Sequence, residues 1–146
     1  MKNDLPSNHL PLTHLGAVPL ARLIARGEVS ASEALEQHIA RAVHIQPRLN
    51  AMVAELFEAA RAEARAADAR RAHGESLGPL HGVPISIKDS LDLEGLPSTF
   101  GFRSRAGLPA TADEPHVARL PAAGAIPLAK RNPAPGLLYY ESDNPL

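Results

Sequence analysis

The stretch from about residue 50 to residue 90 changes its apolar period partway along, and that change constrains the fold more than any other feature. From about Val53 to Ala72, Val53, Phe57, Ala60, Ala64 and Ala67 recur at helical spacing. Glu58 stands three before Arg61 and Asp68 three before Arg71, giving that helix a solvated outer side. Past Gly74 the chain becomes dense in turn residues, Gly78-Pro79-Leu80-His81-Gly82-Val83-Pro84, and Ile85-Ser86-Ile87 then alternates with period two up to Lys88-Asp89. A helix that hands over to a strand through a glycine turn has to bury its stripe on a sheet, which places the chain in the α/β class.

The flanking sequence extends this pattern on both sides. Residues 1–16 carry Pro6, Pro11 and Gly16 without periodicity and read as a loose leader, leaving 17–146 as one domain. Pro19 suits a first helical turn, and Leu20, Leu23 and Ile24 follow at helical spacing until Gly27. Ser30-Ala31-Ser32-Glu33 has the capping-box spacing and opens a second helix with the stripe Leu35, Ile39 and Ala42, which Pro47 is expected to end. Residues 92–112, with Gly95, Pro97, Gly101, Gly107 and Pro109, describe a long irregular connection of the kind that lines clefts. Asp113 is placed to cap a further helix with Pro115 in its first turn, ending at Gly124, before a strand from Ala125 to Lys130. The resulting order leaves a sheet that is incomplete within these residues.

Bulk properties exclude several functions. The 15 basic and 16 acidic side chains are interleaved, so no field draws the chain to nucleic acid or an anionic membrane. With no Cys there is neither a disulfide framework nor thiolate metal ligation, and no apolar run suits a signal peptide or membrane span. A soluble cytoplasmic setting is the expectation. Aromatic residues make up only 3%, so the core must be built from small aliphatic side chains.

Candidate chemistry is sparse. His38 and His44, the closest histidine pair on a predicted helix, are six apart and face different directions, so neither a metal nor another cofactor is expected. His81, in a turn beside Gly82, reads as a backbone-bonding turn residue rather than as a general base. Ser86, Ser90, Ser98 and Ser104 lie in no nucleophile elbow and read as solvated loop hydroxyls.

Several stretches in fixed order resemble the amidase-signature family. They are Gly27-Glu28-Val29-Ser30-Ala31, Pro47-Arg48-Leu49-Asn50-Ala51, the turn Gly78 to Pro84, Ile87-Lys88-Asp89, Ala122-Ala123-Gly124-Ala125, and Lys130 with Asn132. The likeness runs from about residue 15 to the last residue, where Tyr139 to Leu146 looks like the approach to the family's Gly/Ser-rich signature, itself absent from the sequence. The resemblance implies the N-terminal portion of an α/β/α domain with N-terminal helices and an incomplete mixed sheet. It also implies hydrolysis or transfer at an amide C–N bond by two serines and a lysine, with Lys88 matching the triad lysine. A serine hydroxyl needs a base, and a lysine can serve if burial draws its pKa down from about 10.4. With both serines missing, the chain alone is expected to be inactive, and the expected partners are a small amide substrate and a complementing subunit. Three departures stand out: Pro121 where the family usually carries a basic residue, Lys130-Arg131-Asn132 for the family's Lys-Thr-Asn, and no acidic residue near Gly136.

Overall fold

The computed structural model describes residues 11–75 and 77–146. Four helices, α1 (Ala17–Arg26), α2 (Ala31–Leu49), α3 (Phe57–Ala72) and α4 (Pro115–Ala122), accompany three strands, β1 (Met52–Glu55), β2 (Pro84–Lys88) and β3 (Ile126–Arg131). The sheet order is β1-β3-β2. β1 runs antiparallel to β3, with Met52 opposite Arg131 and Glu55 opposite Ala129. β2 runs parallel to β3, with Pro84 opposite Ile126 and Lys88 opposite Arg131. The parallel pair is joined through the long loop and α4, as a parallel connection requires. The outer edge of β2 has no partner among the described residues.

The core lies between the helices and the sheet. Leu20, Ile24, Ala31, Ala34, Leu35, Ile39, Ala60, Ala64 and Ala67 meet Val83, Ile126, Leu128 and Ala129 in one buried cluster. The buried residues of α3, Ala60, Ala64 and Ala67, are all alanines, which suits a sequence poor in aromatic residues. Ile85 packs against the main cluster, whereas Ile87 is buried outside it, and the β2–β3 pairing shifts register between Ile85 and Ser86.

The helix ends follow local chemistry. α1 stops at Gly27, whose φ of 72° supplies the left-handed cap. Ser30 caps α2 by accepting from the Glu33 amide at 2.9 Å. The carboxylate of Asp68 joins it, accepting from the amides of Ala31 at 2.7 Å and Ser32 at 3.1 Å. Asp68 therefore serves α2 rather than pairing with Arg71, as its spacing suggested.

Four expectations from the sequence need correction. Val53 belongs to β1, a four-residue strand, and α3 starts only at Phe57, because pairing with β3 outweighs a helical period carried chiefly by alanine. Pro47 does not end α2. So near the helix end it removes a single bond, and the helix closes at Asn50, whose φ is 44° and whose amide donates to Gln46 O at 2.8 Å. Asp113 does not cap α4: its Oδ1 accepts from the Glu94 amide at 2.8 Å, tying down the long loop, and the cap position falls to Glu114. Order also reaches back into the stretch 1–16 read as a loose leader. Leu12–His14 form a 3-10 turn with Leu12 in the core, while residues 1–10 of the expected leader lie outside the described residues. Pro121 is the penultimate residue of the eight-residue α4.

Candidate active site

The motif Gly78 to Pro84 is a docking turn. A Cβ on Gly78 would stand 2.3 Å from the carbonyl oxygen of Ala123, and one on Gly82 would stand 2.7 Å from Cβ of Ala31. Gly124, at φ 93°, approaches the turn from the other side, where a Cβ would meet His81 Cα at 2.7 Å. The Leu80 amide donates to Ala123 O at 2.9 Å and the Gly82 amide to Gly124 O at 2.8 Å. His81 is buried and its side chain bonds backbone, as expected, though that of α3 rather than of its own turn, with Nε2 3.0 Å from Ala67 O. The two glycine motifs are therefore halves of one contact that seats the turn on the end of α4 and aims β2 into the sheet.

Lys88 is the last residue of β2. Its backbone is fixed on both sides: it lies opposite Arg131 in the parallel pair, its carbonyl accepts from the Leu91 amide at 2.9 Å, and the following Asp89 amide donates to Arg131 O at 3.0 Å. Its side chain is exposed and makes no hydrogen bond or ion pair among the described residues. None of the four serines considered from the sequence bonds to it.

Sequence reasoning missed a polar cluster directly beside it. Asp89 and Lys130 are each 1% exposed and form an ion pair, with Lys130 Nζ 3.0 Å from Asp89 Oδ1. The ammonium also donates to the Pro97 carbonyl and, at 3.0 Å, to Ser98 Oγ, so all three of its N–H groups are engaged. The other carboxylate oxygen, Asp89 Oδ2, accepts from the Thr99 amide at 3.1 Å and from the Thr99 hydroxyl, which in turn accepts from the Gly101 amide at 3.1 Å. Ser98, 3% exposed, is thus not the solvated hydroxyl the sequence suggested. Its proximity to an ammonium is not a nucleophile–base dyad either. The Lys130 amine is already engaged by Asp89 Oδ1, Pro97 O and Ser98 Oγ, and the Ser98 hydroxyl donates away from it, to Leu91 O at 2.9 Å. The only signals in the sequence were a Lys-Asp pair closing one strand and a lysine near the end of the next, and nothing in the periodicity says that strand ends this far apart in sequence lie together.

Asn132 closes the far side. Its amide nitrogen donates to Asn50 O at 3.1 Å and Ser142 O at 3.4 Å, and its oxygen accepts from Asn144, which draws the C-terminal segment back against the sheet. Leu138, Tyr139 and Tyr140 in that segment are exposed.

The fold is a mixed α/β arrangement, a three-stranded partial sheet packed against helices, with a lysine at the end of one strand and a glycine turn seating that strand. The Amidase family profile matches residues 33–146, and the chain belongs to that family. Among its relatives, one subunit of the glutamyl-tRNA(Gln) amidotransferase of Salinispora arenicola is 49% identical over 96 residues, covering 66% of this chain and 20% of that protein. The structure of a fatty acid amide hydrolase superposes with a TM-score of 0.85 at 26% identity, covering 91% of this chain and 24% of that one. A chain of a vestigial protein complex, described as revealing the evolutionary origins of an s-triazine catabolic enzyme, gives a TM-score of 0.79 at 38% identity, covering 83% and 27%. The chain thus spans about a fifth to a quarter of the length of these relatives.

Proposed function

We propose that this chain is the N-terminal part of a hydrolase that cleaves carboxylic amide C–N bonds by a Ser-Ser-Lys mechanism, with Lys88 as its base. The observation that carries the reading is the placement of Lys88: a lysine fixed by its backbone at the end of a strand, whose amine is unengaged among the described residues. The 146 residues hold no Gly/Ser-rich segment, so in this reading both serines and the amides that cradle the oxyanion come from polypeptide outside them. Docking of that polypeptide would bury Lys88, lower its affinity for a proton and bring the amine within reach of the serine that relays to the nucleophile. Alone, the chain is inactive.

The complementing polypeptide has a physical address. The edge of β2 that has no partner among the described residues runs directly to Lys88, so an added strand would lie about 4.8 Å away and deliver its residues beside the amine. The test is to purify the chain alone and together with a Gly/Ser-rich polypeptide covering the remaining length of a family member, and to measure turnover of simple aryl and aliphatic amides. The mixture should hydrolyse them and the single chain should not. Replacement of Lys88 by Met should lower turnover by about 10² to 10⁴, the usual contribution of a positioned acid–base group. Turnover by the chain alone, or a Lys88→Met mixture as active as its parent, would defeat the reading.

A further inference from the structure

The buried Lys130–Asp89 pair is poorly explained by stability. Taking two charges out of water often costs more than their attraction returns, and well-packed apolar replacements of similar volume are frequently as stable or more so. The bonds the pair makes supply a positional explanation instead. Apart from the ion pair itself, every side-chain bond of the two residues goes to Pro97, Ser98 or Thr99, within the long loop. The same stretch is held from outside, where Arg105 Nε donates to Ser98 O at 2.8 Å and the guanidinium stacks 5.0 Å over the Phe100 ring. The Gly136 amide donates to Phe100 O at 2.8 Å. Phe100 itself sits at φ 53°, a left-handed conformation that a bulky side chain keeps only where its surroundings over-determine it. The clamped loop, the ends of β2 and β3, and Lys88 are thus connected through one buried carboxylate, on the residue that follows Lys88.

We infer that Lys130 and Asp89 are positioning residues: the pair locks the segment Pro97–Gly101 across the ends of β2 and β3 and so fixes where Lys88 leaves the sheet. Its consequence for catalysis rests on the reading of Lys88 as the base, while the locking of the loop does not.

Two double variants test it. K130M/D89L replaces the pair by apolar groups and removes all four of its bonds to the loop, and S98A/T99V keeps the pair but removes the two that run through hydroxyls, leaving those to Pro97 O and the Thr99 amide. On the 146-residue chain, urea unfolding reports stability, and amide hydrogen exchange by NMR reports the loop at Phe102 and Gly136, whose bonds to Thr99 O and Phe100 O involve no replaced atom. We expect K130M/D89L to unfold at a urea midpoint no lower than the parent. In both variants exchange at those two amides should be faster by roughly ten- to a hundredfold, the equivalent of one lost charge-assisted bond. In the reconstituted mixture, S98A/T99V should lower kcat by about ten- to a hundredfold with KM unchanged, the mark of a displaced group rather than a lost binding contact. Unchanged exchange at Phe102 and Gly136 in both variants overturns the inference, because the pair is then only scaffold; a K130M/D89L chain that unfolds below the parent midpoint, or does not fold, overturns it as well, because the pair is then needed for stability. Should Lys88→Met leave turnover intact, the base reading falls by itself, and the exchange experiment still decides the loop.

Discussion

Replacing Gly124 by Ala separates two costs that are usually entangled. At φ 93° any L side chain is strained, and a left-handed backbone costs a non-glycine residue about 1–2 kcal/mol. The new Cβ would also stand 2.7 Å from His81 Cα and 3.0 Å from His81 N. These are backbone atoms that cannot rotate aside, and His81 is further held by its bonds to Ala67 O and Gly78 O. Overpacking of this kind adds about 1–3 kcal/mol, so the expected loss is about 2–5 kcal/mol. In a chain of this length that corresponds to a fall in Tm of roughly 4–20 °C. Two controls calibrate it. Gly74 has φ 70° with nothing within 4 Å of its Cβ position, so Gly74→Ala should show the conformational cost alone, about 1–2 kcal/mol. Gly107 is open and outside the left-handed region, so Gly107→Ala should be neutral or stabilise by up to about 1 kcal/mol. Urea unfolding followed by far-UV circular dichroism suits a chain without Trp. A Gly124→Ala midpoint equal to that of Gly74→Ala would refute the claim that the turn and the end of α4 meet at contact distance.

Three further outcomes follow from the described bonds. Asp68→Ala removes the acceptor for two α2 amides and should cost about 1–2 kcal/mol in urea unfolding, whereas Arg71→Ala should leave the α2 cap unaffected. The Arg61 guanidinium, through its hydrogen bonds, holds the Glu36 carboxyl below the usual carboxylate range. That small, salt-screened stabilisation should therefore be complete above the ordinary Glu pKa and fade as pH falls through the lowered one; Arg61→Met should return Glu36 to the ordinary range in an NMR titration. Pro121→Ala restores an N–H able to donate to Val117 O, since a place near the C-terminal end does not spare that bond, and should stabilise by up to about 3 kcal/mol in thermal unfolding; no gain would show that α4 takes the ring without cost.

The elements whose signals are local were legible in the sequence. The Ser30 cap, the Gly27 stop, Pro115 opening α4 and the approach of β2 to Lys88 all follow from residues adjacent in the chain, and the structure has each of them. What was not legible is nonlocal. β1 exists because β3 offers it a pairing edge about 75 residues later, and four residues ending in Ala54-Glu55 carry too little pattern to compete with the helical period they adjoin. Asp68 and Asp113 have spacings that fit near neighbours, yet their acceptors are spent on amides 36 or 37 and 19 residues away. The site divides the same way. Lys88 came from a motif, whereas the Lys130–Asp89–Ser98–Thr99 network became visible only once two strand ends and a loop were brought together in space.

The bare margin of β2 gives Lys88 a second burden. That strand begins with Pro84, which has no N–H to offer an intruder, and finishes on a positive charge, so its two ends blunt a short run that would otherwise recruit copies of itself. Putting an apolar side chain at position 88 strips one of those guards. Such a variant can lose activity by clumping rather than by losing a base, and Lys88→Arg, which keeps the charge but cannot give up its proton, separates these two outcomes.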